Sequence, residues 1–425
     1  GVLFDLPLAV GVLAAFERID SPALHRYALV GELALDGTLR PVRGALAAAL
    51  AARERGWEGI VLPRPNQSEA ALVSGVRVVG AANLSEALEF LGCGRAPLPS
   101  PKVSAAELLG AARYEGPDFG DVRGQAEALR ALEIAAAGGH NLLMVGPPGC
   151  GKTMMAQRLP GILPPLTEQE ALEATRVWSV AGMLPGGTPL VVNRPFRAPH
   201  HHASAAAIIG GGSPLPRPGE ISLAHHGVLF LDEVPLFSRM VLEALRQPLE
   251  EGCIRVVRQA YAVEFPASLC LVAAANPCLC QGPGGRSGCC MCPPSRLHAY
   301  RSRLSGPLLD RIDLQVEVPR LTRDELFDLE PAEPSAVVRD RVIRARTFRN
   351  LRLAAEPEAP GLAGLAPPVR LFLRRALGAA DDSARGMDRV VKVARSIADL
   401  AQAPEIGEEH LAEALQYRRP IWSAA

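Results

Sequence analysis

Apolar and polar positions alternate in three styles along this 425-residue chain. Over residues 1–95, short apolar runs alternate with Ala-rich stretches of helical spacing. Tyr27-Ala-Leu-Val-Gly-Glu-Leu-Ala-Leu35 reads as a strand, with Asp36-Gly37 as a tight turn out of it. Ala45 to Arg55 reads as a helix ended by Gly56, and Gly59-Ile-Val-Leu62 as a short buried strand. The Pro-rich stretch Arg95-Ala-Pro-Leu-Pro-Ser-Pro-Lys102 predicts a linker, assigned to 96–119. Strands and helices then alternate over 120–320, which predicts a parallel sheet with helices on both faces. Beyond Pro319 the chain turns helical and Arg-rich, with breaks at Glu330–Pro334 and Glu356–Pro368. Asp388–Leu400 and Glu408–Tyr417 read as the helices of a lid within 321–425. No internal repeat is visible.

Within the middle segment, Gly146-Pro147-Pro148-Gly149-Cys150-Gly151-Lys152-Thr153 follows the apolar run Leu142–Val145 and precedes a helix-compatible stretch. That is the strand, glycine-rich loop and helix of a phosphate-binding P-loop. Its glycines let successive N–H groups point inward, and a helix N-terminus adds positive potential. Lys152 is expected at the β- and γ-phosphates, and Thr153 at a Mg²⁺ ion. The chain is expected to bind a nucleotide.

A second signal is Gly227-Val-Leu-Phe-Leu-Asp232-Glu233. It places two carboxylates at the end of a buried strand, where ligands of α/β sheets bind. Asp232 would hold Mg²⁺ through water and Glu233 would polarise an attacking water, as phosphoanhydride hydrolysis requires. A third strand, Leu269–Ala275, ends at Asn276, whose amide is placed to orient that water. Arg311, in Gly306-Pro-Leu-Leu-Asp-Arg-Ile-Asp313, is positioned to project into a neighbouring subunit's nucleotide; an ion pair with Asp310 or Asp313 is the alternative. In the last long helix either Arg385 or Arg389 can reach a γ-phosphate. Arg385 is preferred, with Arg389 on the helix surface.

Composition changes this picture little. A hydrophobic fraction of 48% with 21% charged residues is that of an ordinary globular chain, and no apolar stretch reaches the length of about 18 residues that a membrane span needs. A cytoplasmic location is expected. The formal net charge is zero, so any contact with nucleic acid must come from a local basic surface. The opening Gly1-Val-Leu-Phe, without an initiator Met and inside an apolar segment, reads as the start of a fragment.

Five of the nine cysteines, Cys278, Cys280, Cys289, Cys290 and Cys292, fall close together. Two Cys-x-Cys pairs, Cys278/Cys280 and Cys290/Cys292, suit a tetrahedral Zn²⁺ site, with Cys289 able to replace Cys290; reduced thiols in a loop are the alternative. The long interval between Lys152 and Asp232 leaves room for an insertion carrying Arg194, Arg197 and His200-His201-His202. Consecutive histidines do not easily converge on one ion, so a loop or interface role is expected for them. Cys253 to Phe265 reads as a β-hairpin whose Arg255 and Arg258 are expected to face a pore and contact DNA phosphates.

The order P-loop, Asp-Glu, Asn, Arg, Arg resembles the AAA+ ATPases. Arg194-Pro-Phe-Arg-Ala-Pro-His-His201, Gly210-Gly-Gly and Pro216-Arg-Pro-Gly-Glu-Ile-Ser-Leu-Ala-His225 narrow the resemblance to the magnesium-chelatase-like group, in its branch associated with natural transformation. The match continues through Arg303-Leu-Ser-Gly-Pro307 and covers nearly the whole chain. It implies an α/β AAA+ core with a helical lid, and a homo-hexameric, ATP- and Mg²⁺-dependent ring acting on branched or duplex DNA as a helicase or branch-migration motor. The paired cysteines, and hence zinc, are also expected of such chains. The N-terminal segment, 1–95, resembles the Lon protease domain in fold through the stretch Leu29 to Gly44, but no lysine precedes Lys102, so the Ser–Lys chemistry is absent and a structural module with its leading strands missing is expected. A remodelling ATPase acting on a protein partner, or a nucleotide-gated assembly module, remain the competing functions.

Overall fold

The computed structural model describes residues 2–19, 21–96, 99, 101–185, 188–212, 216–258, 261–278, 292–322, 324–325, 329–355, 361–376 and 384–418. They form two compact units, Gly1–Arg113 with Leu166–Asn193, and Tyr114–Pro165 with Arg194–Ala425.

In the first unit, Gly59–Pro63 is the central strand of a three-stranded parallel sheet, flanked by Tyr27–Leu29 and Arg77–Ala81. All five of its residues are buried. A Cβ at Gly59 would lie 2.2 Å from the Arg77 carbonyl oxygen, so no side chain fits there. The expected strand over 27–35 is split in two. The helix Asp5–Ala15 approaches at Gly31, where a Cβ would sit 3.2 Å from that of Leu6, and the chain leaves the sheet. Glu32–Leu33 then pairs antiparallel with Leu39–Arg40 around the expected turn, where Asp36 accepts from the Thr38 N–H (3.0 Å) and hydroxyl (2.6 Å). The helix Ala45–Glu54 lies one residue short of expectation.

Helix Glu168–Ala181 packs within this unit. The reason is local. Ala171, Ala174 and Leu190 share a core with Leu46, Ala49, Ile60 and Leu62. The buried Glu69 carboxylate accepts from the Leu46 N–H (2.8 Å) and from the Ser179 hydroxyl, while the Gly44 N–H donates to the Ser179 carbonyl (3.1 Å).

The second unit holds a five-stranded parallel sheet, as expected for an α/β core. Its strands are β1 (Leu142–Val145), β2 (Phe196–Arg197), β3 (Val228–Leu231), β4 (Cys270–Ala275) and β5 (Leu314–Glu317), in the spatial order β5-β1-β4-β3-β2. Both faces are covered, which explains why the strands read as continuous apolar runs. Leu142, Met144, Val228, Phe230, Val272 and Ala274 pack on one face with helices Ala126–Gly138 and Lys152–Ile162. Leu143, Val145, Leu229, Leu231, Leu271 and Ala273 pack on the other, with Ile208, Val241 and Leu308. Each large side chain so buried contributes about 1.5–3 kcal/mol.

The C-terminal helices Ser335–Ala355, Pro367–Ala376, Ala384–Leu400 and Glu408–Gln416 make up the helical region expected there. Val338, Val342, Leu373, Val393, Ile397 and Leu411 join the first sheet face. Polar links reinforce this. Glu133 bonds Arg341 (2.7 Å), and the buried His140 lies between Asp313 (3.1 Å) and the Ser396 hydroxyl (2.8 Å). Among the described residues, no helix is long and apolar enough to cross a membrane.

Replacing Glu69 by Ala would leave the Leu46 N–H and the Ser179 hydroxyl without their acceptor. The expected cost is about 2–3 kcal/mol, measured as a lowered denaturant midpoint of the first unit's unfolding transition.

Candidate nucleotide site

Parallel pairing brings three chain ends to one edge of the sheet. β4 lies between β1 and β3, with Ala275 opposite Val145 and Ala273 opposite Leu231. The residues that follow these strands, Gly146, Asn276 and Asp232, therefore emerge together at the carboxyl edge, where α/β sheets bind ligands. The loop after β1 curls through Gly149 (φ 78°) and Gly151 (φ 95°), and Gly151 caps helix Lys152–Ile162. Gly146 is required by close approach, since a Cβ there would lie 2.2 Å from the Val318 carbonyl oxygen. Pro147, Pro148 and Cys150 complete the loop, with Cys150 buried.

Lys152 is only 7% exposed. Its ammonium donates to the carbonyls of Gly146 (2.7 Å) and Pro147 (2.9 Å), to Asn276 Oδ1 (3.1 Å) and to Cys150 Sγ (3.6 Å). The Thr153 hydroxyl donates to Asp232 Oδ2 (2.7 Å), and the other Asp232 oxygen accepts from the Glu233 N–H (2.9 Å). The sequence-predicted residues thus form two hydrogen-bonded groups at this edge, Lys152 with Asn276 and the loop, and Thr153 with Asp232 and Glu233. Glu233 has a left-handed backbone (φ 49°), an uncommon and strained state for a non-glycine residue.

Profiles of three families match this chain. They are magnesium chelatase, subunit ChlI, over residues 118–326, the subunit ChlI C-terminal region over 332–418, and subunit ChlI of Mg-chelatase over 1–66. An uncharacterized protein of Mycobacterium tuberculosis is 44% identical over 99% of this chain and 84% of its own length. The competence protein ComM of Haemophilus influenzae is 43% identical over 99% of this chain and 83% of its own. The uncharacterized protein YifB of Escherichia coli is 42% identical over 98% and 82%. This chain belongs to the magnesium-chelatase ChlI family of AAA+ proteins. Membership implies ATPase activity and use of ATP with Mg²⁺.

Other expected site residues of this AAA+ chain fall less simply. Arg311 is 11% exposed at its side chain, bonded to the Pro307 carbonyl and to Glu250 rather than to Asp310 or Asp313. Arg389, expected on the helix surface, is buried at 6% exposure. It falls on the inner face of helix Ala384–Leu400 with Val393 and Ile397, at helical spacing, and pairs with Asp310 (3.0 Å). The Arg385 side chain lies outside the described residues, although its backbone opens that helix. The hairpin is present as Cys253–Arg258 paired with Tyr261–Pro266. Its Arg255 is exposed and bonds Glu264 on the opposite strand (2.8 Å); the Arg258 side chain is outside the described residues. Cys278 and Cys292 are half-buried, while Cys280, Cys289 and Cys290 lie outside the described residues.

Several partners were not anticipated. Arg194 donates to the His226 carbonyl (2.7 Å), and Arg197 makes a bidentate pair with Glu220 (2.7 Å for the Nη2 contact), so both arginines bond within the fold. His201 Nδ1 lies 3.5 Å from Glu233 Oε2. Desolvation and the adjacent His200 and His202 rings hold its pKa below the ordinary histidine value. Tyr300 donates to the Asn276 carbonyl (3.2 Å), and burial pushes its phenol up to about 12, so it stays a donor at neutral pH. Asn141, the polar residue just ahead of β1, accepts from the Leu271 N–H (2.9 Å) and donates to the Arg311 carbonyl (2.9 Å). Sequence reasoning missed it; a polar side chain immediately before an apolar strand is the signal that could have found it.

Asn141→Ala removes both links and strands the Leu271 N–H. A loss of about 1–3 kcal/mol is expected, seen as a lowered urea midpoint at unchanged slope.

Proposed function

We propose that this protein is an ATP-driven DNA motor, a hexameric helicase or branch-migration ring that serves homologous recombination during natural transformation. The observation that carries the nucleotide half is the convergence of Lys152, Thr153, Asp232 and Asn276 at one sheet edge. The DNA half is supported by the 43% identity to a competence protein and by the hairpin bearing Arg255 and Arg258.

In this proposal Lys152 exchanges neutral carbonyl acceptors for anionic phosphate oxygens, so that both donor and acceptor carry charge. The Thr153 hydroxyl and the Asp232 carboxylate already meet, and these oxygen donors fit Mg²⁺, which would neutralise phosphate charge when bound with the nucleotide. Glu233 accepts the proton of the attacking water, with Asn276 orienting that water. Arg311 acts across the junction between subunits, which requires it to leave Glu250, and Arg385 reaches the nucleotide from the lid. Zinc at Cys278, Cys280, Cys290 and Cys292 rests on the Cys-x-Cys spacing and on the family resemblance. A second reading, a remodelling ATPase acting on a protein partner, is favoured by the match to chelatase subunits over 118–326 and 332–418.

Glu233→Gln is expected to keep ATP binding but lower turnover by roughly 10²–10⁴-fold, whereas Lys152→Ala should lose binding itself. Filter binding and phosphate release separate the two, and a Glu233→Gln variant with wild-type turnover would remove Glu233 from the mechanism. Arg255→Ala with Arg258→Ala should weaken duplex binding and flatten its salt dependence by about 0.9 for each phosphate no longer neutralised. Unchanged affinity and slope, with an ATPase that DNA does not stimulate, would favour the protein-partner reading.

A further inference from the structure

Three consecutive histidines meet at a turn beside Glu233. The Ala203 N–H donates to the His200 carbonyl (2.8 Å) and the His202 N–H to His200 Nδ1 (3.3 Å), which folds the segment back on itself. Consecutive side chains on a strand would point to opposite faces. Here the rings crowd together instead, His200 stacked on His201 (centroids 4.3 Å apart) and on His202 (5.2 Å), with His201 tilted against His202 (4.3 Å). One ligand nitrogen from each ring lies within 4.8 Å of the other two. The objection that neighbouring histidines do not converge is thus overturned by the turn. His200 and His202 are exposed, His201 is half-buried, and Glu233 Oε2 stands 3.5 Å from His201.

We propose that His200, His201 and His202 form a binding site for a zinc-class divalent cation, with Glu233 as the adjacent carboxylate. Imidazole nitrogens suit Zn²⁺, Co²⁺ and Ni²⁺, whereas Mg²⁺ demands oxygen donors. The protein therefore offers two cations different ground a short way apart, oxygen donors at Thr153 and Asp232 and nitrogen donors at the turn. Metal–nitrogen bonds of about 2.0–2.1 Å require the three nitrogens to draw closer than they stand. Side-chain rotation of the two exposed rings supplies that movement. An ion held there competes for His201 and attracts the Glu233 carboxylate, so it acts as an inhibitor of hydrolysis. That consequence rests on the role proposed for Glu233; the binding itself does not.

The test uses tag-free full chain titrated with Co²⁺ in the presence of Mg²⁺. Wild type should bind about one Co²⁺ more than the His200→Asn/His202→Asn variant, and the absorption missing from the variant should be a ligand-field band without thiolate charge transfer. That band separates the histidines from any cysteine site. In wild type alone, Zn²⁺ should protect His200–His202 from diethyl pyrocarbonate, read by peptide mass spectrometry, so the result does not depend on the variant's folding. Equal Co²⁺ binding and identical spectra in the two proteins, or unprotected histidines, would overturn the site. Zn²⁺ should also inhibit ATP hydrolysis in wild type and spare the variant. Binding at the histidines without inhibition would overturn only the link to Glu233.

Discussion

Hydrogen bonding of β4 to both β1 and β3 is the constraint on which the site depends. Those two ladders decide which chain ends become neighbours. They set Ala275 beside Val145 and Ala273 beside Leu231, and residues distant in sequence then share one edge. The strands hold this register because each alternates its side chains between two buried faces, so a one-residue slip would exchange the partners of both cores at once. The loop after β1 adds its own demand, since only a glycine fits against Val318 at position 146.

Much of this was legible from the chain alone. The P-loop, the Asp232-Glu233 pair and Asn276 are local patterns, each a buried strand followed by a polar group, and short-range chemistry is what sequence displays directly. The hairpin and the lid helices were visible for the same reason. What escaped were relations set by tertiary packing. Arg389 was placed outside because one arginine in a helix says nothing about which face is buried; Val393 and Ile397 settle it only once the core is known. His201 was hidden because a tight turn, not a periodic element, aims its ring. The strand over 27–35 was drawn too long because the helix that interrupts it at Gly31 comes from an earlier segment.

Arginine carries nearly all the positive charge of this chain, and many of its guanidinium groups have partners within the fold. Arg311 is held by Glu250, Arg389 by Asp310, Arg197 by Glu220 and Arg341 by both Glu133 and Glu333. Zero net charge is thus accompanied by local neutralisation at these arginines. Guanidinium suits this because its planar fork engages carboxylates bidentately, as at Glu220.

The return of Leu166–Asn193 to the first unit means that the backbone passes between the two bodies at residues 113/114, 165/166 and 193/194. No single cut separates them. A truncation that begins at the ATPase-like core would keep helix Glu168–Ala181 but delete what covers Ala171 and Ala174, leaving a bare apolar strip and a Ser179 hydroxyl without Glu69. The two bodies alternate along the backbone rather than following one another, so no single contiguous stretch of chain contains either of them alone and whole.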